Sequence, residues 1–156
     1  MPVLLDAWKD ARLGSSAELW LAGPGGLPAG AALPENARLL GKVSQAGLAD
    51  VMQKVHALVF PSHFEGLAQV QVEAMACGLP VVGTNASGAN EIVENGKTGF
   101  VLEAGNTKQL CACLVRLAQD PDLLGRMRES CLNQREELSW HRYGDRWMQL
   151  LEERCG

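Results

Sequence analysis

Three short apolar runs constrain this chain most: HALVFP at 56–61, PVVGT at 80–84 and GFVL at 99–102. Each is too short for a stable helix, is rich in Val, Leu or Phe, and is bounded by Pro, Gly or Asn. Such runs read as strands buried on both faces, which is the habit of parallel pairing. Parallel neighbours need crossover connections, and segments of helical character lie between the runs, at 67–77 and 89–94. The same alternation begins earlier. Leu4, Leu5 and Trp8 suit one face of a helix from 3 to 12, ELWLA (18–22) and ARLLG (37–41) read as strands, and Ser44 is placed to cap a helix over 46–54. Further helices are expected at 107–119, 121–135 and 140–153, with Ser139 as the cap of the last. The fold class is therefore α/β, an open parallel sheet with helices on both faces. The Gly/Pro-rich stretch at 23–36 reads as an irregular loop, because a strand signal follows it at once.

With 156 residues, 47% of them apolar, the chain is long enough to bury a core as one domain without disulfides or a structural metal. A net charge of -4 and the lack of long basic runs argue against nucleic acid as a partner. Cys77, Cys111, Cys113, Cys131 and Cys155 form an odd set without a CxxC pair, as expected of a reduced, cytoplasmic chain. The opening MPVLLDAWKDAR carries Asp6 and Asp10 where a signal peptide would be apolar. No run is long enough to span a bilayer, although peripheral association with a membrane stays open.

Several motif fragments lack the context their chemistry needs. Gly96, Lys97 and Thr98 resemble the end of a phosphate-binding loop, but Glu91 stands where its first Gly belongs and a strand follows instead of a helix. Gly23, Pro24, Gly25 and Gly26 follow a strand, yet no helix opens after them. Asp120, Pro121 and Asp122 read as a helix cap and start rather than a metal site, and the three His are not spaced as metal ligands. No metal or cofactor is expected.

The stretch that carries chemistry is PSHFEGLAQVQVEAMACGLPVVGTNASGANE, 61–91. Glu65 falls in the loop at a strand's carboxyl end, where open α/β sheets bind ligands. Gly66 lets backbone approach a ligand, and a helix opening near Leu67 would offer free N–H groups to an anion. Glu73 lies eight residues on, up to about 12 Å along a helix axis. The two carboxylates would thus bracket a phosphate site, each able to accept hydrogen bonds from hydroxyls, as a nucleotide-sugar requires. The plainer alternative makes both solvated surface acids. Small residues after Glu73 (Ala74, Ala76, Gly78) favour close packing of that helix, which would set Glu73 at a fixed depth. His63 reads as a solvated loop residue.

This arrangement resembles the E-x7-E signature of retaining glycosyltransferases of family 4, also described as glycosyl transferases group 1. The similarity runs through LWLAGPGG, LLGKVSQAGLADVMQKVHALVFPS, FPSHFEG and VEAMACGLPVVGTNASGANEIVENGKTGFVLEAGN to LAQDPDLLGRMRES and LSWHRYGDRWMQLLEE. It implies a Rossmann-like sheet, the C-terminal, donor-binding half of a GT-B fold, over 1–156, with 140–153 as its terminal helix. It also implies that Glu65 is catalytic and contacts the transferred sugar, that Glu73 binds the ribose, and that Gly66 and the amides of Leu67, Ala68 and Gln69 hold the diphosphate. Val43 would lie beside the base, with Lys42 and Glu91 as further candidates. Ala68 stands where many members have Gly, and Asn90 where Pro is common, so Glu91 reads either as a ligand-side acid or as a helix-terminus residue.

The resemblance further implies a first strand bearing Arg and Lys ahead of the opening helix, and an N-terminal acceptor-binding domain. Both are expected to be absent from these residues and supplied by a partner chain or a missing domain. The implied reaction is metal-independent transfer of a hexosyl group, from a UDP-, GDP- or ADP-linked sugar, to a glycan or lipid-linked saccharide in polysaccharide biosynthesis. The alternatives are a non-catalytic binding or interaction module and a fragment of a GT-B nucleotide-sugar epimerase.

Overall fold

A computed structural model of the chain describes residues 1–139 together with 141, 142, 144, 145, 148, 149 and 152. Helix α1 (Pro2–Ala11) precedes strands β1 (Leu19–Ala22) and β2 (Ala37–Gly41), helix α2 (Gln45–Met52) and strand β3 (Leu58–Phe60). Helix α3 (Gln69–Ala76), β4 (Val81–Thr84), a 3₁₀ turn at Ala89–Glu91 and β5 (Gly99–Leu102) follow, then α4 (Thr107–Gln119) and α5 (Pro121–Gln134). All strand pairings are parallel. Helix ends follow local chemistry. Ser44 Oγ accepts from the Gly47 N–H at 3.2 Å, Asn106 Oδ1 from Gln109 at 3.0 Å, and Asp120 Oδ1 from Leu123 at 2.8 Å, each satisfying an otherwise orphaned donor. Pro121 then opens α5, as the Asp-Pro-Asp reading required.

The pairing falls into two sheets, β1 with β2 and β3 with β4 and β5. The parallel α/β class is as expected; among the described residues no ladder joins β1 to β3, so the strands pair as two separate parallel pieces. An apolar cluster joins them instead: Leu19 and Leu21 of β1 share it with Val82, Phe100, α1 and α4. On α1, Leu4, Leu5, Ala7 and Trp8 are buried, and Trp8 Nε1 donates to the Glu35 carbonyl at 3.2 Å, tying the helix to the entry of β2. A second cluster lies around Met52, Ala74, Met75, Leu79 and Val81, with Cys131 of α5. These clusters lie on opposite faces of β4, whose consecutive residues Val81 and Val82 are both buried, one in each.

Three sequence expectations need correction. The run at 56–61 was expected to be buried throughout, yet Leu58, Val59 and Phe60 are only half-buried, because β3 has a strand on one side and none on the other. The helix expected at 89–94 is a single 3₁₀ turn ending at Glu91, and α3 starts at Gln69 rather than 67. Of the helix expected at 140–153, residues 140, 143, 146, 147, 150, 151 and 153 lie outside the described residues; Ser139 Oγ does accept from the Arg142 N–H at 3.2 Å. In the fragment that resembles a phosphate loop, Lys97 pairs with Glu94 at 2.7 Å, and Thr98 is buried with its hydroxyl accepting from the Glu94 N–H.

Two outcomes follow. Met75 is wholly buried in the second cluster, so Met75→Ala should cost about 2–5 kcal/mol in chemical denaturation. Burial pushes the Cys113 thiol up to about 12 and Cys131 up to about 11, with Arg116 and Arg128 opposing it weakly. In the unfolded chain these thiols ionise near their ordinary values, so the unfolded state holds fewer protons in alkali. Stability should therefore be full below about pH 8.5 and fall as pH rises toward those folded values, with a smaller fall in Cys113→Ala measured relative to its own neutral-pH stability.

Candidate functional site

The site is built where strand carboxyl ends release their loops, because a parallel sheet sends every such loop to the same edge. β3 ends at Phe60, and residues 61–68 run exposed or half-buried to α3. No side chain caps α3, and Ala68, at its N-cap, has extended backbone. The Gln71 N–H turns back to the Ala68 carbonyl at 2.9 Å, whereas the amides of Leu67, Ala68 and Gln69 donate to no backbone carbonyl among the described residues. The uncapped helix start thus offers free N–H groups at its positive end.

The turn after β4 holds this loop in place. Glu65 N–H donates to the Ala86 carbonyl at 2.8 Å, and Thr84 Oγ1 donates to the Ser62 carbonyl at 2.6 Å. Gly88, with φ of 69°, presses on the loop so closely that a Cβ there would lie 2.6 Å from the Gly66 oxygen and 2.7 Å from the Leu67 α-carbon. Only glycine fits such a close approach in that left-handed backbone. Beneath lie Gln71 and Ser87, both wholly buried. The sequence reading missed Gln71, Thr84, Ser87 and Gly88. One signal was available for Gln71: it shares helical spacing with Ala74, Met75 and Gly78, which places it on the buried face.

Glu65, Gly66, Leu67 and Gln69 are exposed, and Ala68 and Glu73 are half-buried. Among the described residues, no ion pair or side-chain hydrogen bond reaches the carboxylates of Glu65, Glu73 or Glu91. Glu91 closes the 3₁₀ turn, its N–H donating to the Gly88 carbonyl at 3.1 Å, so its backbone is linked to the same turn that holds Glu65. Lys42 is exposed and Val43 half-buried at the entry to α2, where Val43 packs beside Gly47; no bond ties either to the Glu65 loop. His63 is exposed and lies over Gly105 in the loop after β5. Phe64, 91% exposed, stands next to Glu65 without apolar cover.

A shallow hollow sits at the carboxyl ends of β4 and β5, lined by residues including Val3, Pro61, Thr84, Leu102, Glu103 and Asn106. Its lining includes none of Glu65, Glu73 and Glu91, so the open shelf at the start of α3, not this hollow, is the candidate site. No group of three or more His, Cys, Asp or Glu residues able to hold a metal ion occurs among the described residues. Among the same residues no helix is long and apolar enough to cross a membrane.

Comparison with known proteins agrees with this architecture. A family model described as glycosyl transferases group 1 matches residues 1–120. The capsular polysaccharide biosynthesis glycosyltransferase CapM of Staphylococcus aureus is 41% identical over 69 residues, 44% of this chain and 18% of its own length. A D-inositol 3-phosphate glycosyltransferase of Streptomyces scabiei is 31% identical over 148 residues, 88% of this chain and 33% of that protein. The chain thus spans about a third or less of the curated relatives it matches. Anabaena HepE, solved with UDP and glucose, superposes with a TM-score of 0.79 at 21% identity, over 98% of this chain and 44% of HepE. TarM superposes with a TM-score of 0.79 at 18% identity, over 96% of this chain and 31% of TarM. The parallel α/β architecture is that of GT-B glycosyltransferases, and the family match over 1–120 makes the chain a member of the group 1 glycosyl transferases.

Proposed function

We propose that the chain is the donor-binding half of a metal-independent, retaining glycosyltransferase that takes a nucleotide-sugar. The observation that carries this reading is the uncapped start of α3, with free amides at Leu67, Ala68 and Gln69 and an unpaired carboxylate on either side, Glu65 and Glu73. Gly66 and the three amides hold the diphosphate, Glu73 accepts from ribose hydroxyls, and Glu65 from hydroxyls of the transferred sugar. Val43 lies beside the base, with Lys42 and Glu91 at the margins of the site. When the bond from the anomeric carbon to the diphosphate breaks, charge builds on the departing phosphate. Backbone donors already aimed there stabilise that charge without reorganising.

A hexosyl group moves to an acceptor such as a glycan or lipid-linked saccharide, on a cytoplasmic face, in polysaccharide biosynthesis. Cations that balance the leaving diphosphate, and the acceptor site, come from a further domain or a partner chain. The unjoined ladders support this division, since β1 and β3 each keep an open edge. HepE was solved with UDP and glucose, which makes UDP the first nucleotide to try.

Titration of the 15N-labelled chain with UDP, GDP and ADP tests the reading. One of the three should shift the amides of Leu67, Ala68 and Gln69, with affinity weaker than micromolar and no sugar transfer by the chain alone. Glu73→Ala should weaken that binding about tenfold through the lost ribose bonds. Binding of none of the three nucleotides, or binding that leaves residues 67–69 unmoved, would overturn it. In an enzyme completed with an acceptor domain, Glu65→Ala should reduce kcat/KM at least a hundredfold; unchanged turnover would favour a non-catalytic role.

A further inference from the structure

We propose that Gln71 is a positioning residue for the Glu65 loop and diphosphate-binding start of α3, acting through Ser87 and Gly88 of the turn behind it; this rests on the proposed function given above. Gln71 lies on the face of α3 that packs into the core, where its neighbours Ala74 and Met75 are apolar and fully buried. An amide placed there loses its hydration and must recover it with internal hydrogen bonds. Its Nε2 donates to the Ser87 carbonyl at 2.6 Å, and its Oε1 lies 3.5 Å from the Ser87 hydroxyl. The side chain is also caged: a Cβ on Gly83 would come within 2.7 Å of Gln71 Oε1.

Ser87 belongs to a turn that is rigid in its own right. Its hydroxyl accepts from the Thr84 N–H at 3.0 Å and donates to the Thr84 carbonyl at 2.9 Å, and its own N–H donates to that carbonyl at 3.0 Å. A turn closed this way moves as a unit, and the Gln71 amide anchors it to α3. The residue after Ser87 is Gly88, whose α-carbon abuts Gly66 and Leu67 with no room for a methyl group. The residue before it, Ala86, takes the Glu65 N–H. Displacement of the Ser87 carbonyl is therefore passed to both sides of the sugar-side acid. Gln71 is two residues into the helix whose first amides face the phosphates. It thus joins the two structures that define the site, the helix start and the turn behind the loop.

The test uses the labelled chain and two substitutions. Gln71→Met keeps the volume and removes the donor, and Gly88→Ala pushes on the same loop from the other side. In each, exchange of the Glu65 amide should quicken about tenfold and UDP affinity fall about tenfold, while exchange of the Val82 amide in the core stays as in the wild type. Glu73→Ala should weaken UDP without changing Glu65 exchange. Faster exchange at Glu65 and Val82 together would reduce Gln71 to a general packing role and overturn the proposal. So would unchanged Glu65 exchange and UDP affinity in Gln71→Met. If the wild type binds UDP and Gln71→Met binds it equally well, the positioning role falls and the nucleotide reading stands. If the wild type binds no nucleotide while Gln71→Met still frees Glu65, the nucleotide reading falls and only the mechanical link is upheld.

Discussion

Parallel pairing of β4 with a strand on each side is the constraint from which the rest of the chain takes its arrangement. Val81 and Val82 face opposite ways into two apolar clusters, so helices must cover both faces of this strand. Parallel direction sends the loops after β3, β4 and β5 to one edge. There the first loop carries Glu65, the second braces it, and the third meets His63 through Gly105. The place of the candidate site at this edge is a consequence of strand direction before it is a consequence of any single residue.

Within that frame the site is made chiefly of backbone. The chain carries a net charge of -4, and no cation is paired with Glu65, Glu73 or Glu91 among the described residues. On the proposed reading, attraction for an anion would come from oriented N–H groups at the start of α3, which act only if they are held in a fixed direction. That requirement explains why so much buried polar structure lies behind an exposed loop. Thr84, Ser87 and Gln71 exchange hydration for internal hydrogen bonds, and Gly83 and Gly88 remove side chains where elements touch.

Legibility in the sequence followed the range of the interaction. Caps at Ser44 and Asp120 act within three residues, and the junction of α4 with α5 was readable because Asp120 supplies the oxygen that caps the start of α5. The E-x7-E spacing and Gly66 marked the candidate site, since they set Glu65 in the loop before α3 and Glu73 within the helix. Burial of β3 was misjudged, because composition cannot tell whether a strand has one neighbour or two. Gln71 was passed over for a related reason. A polar residue between Val70 and Val72 looks solvated until the turn that bonds it is in place, sixteen residues further on.

By itself the sequence determined the α/β alternation, the parallel character of the strands and most helix limits, which rest on periodicity and capping acting along the chain; membership in the group 1 glycosyl transferases came from resemblance to that family and is shown by the match over 1–120. The tertiary structure alone decided that the strands form two separate parallel sheets and that the loop of Glu65 is held from behind by the turn of Ser87 and Gly88. Those features depend on which backbone groups from distant segments meet. Such meetings are set by packing of the two apolar clusters, and no local pattern of residues encodes them.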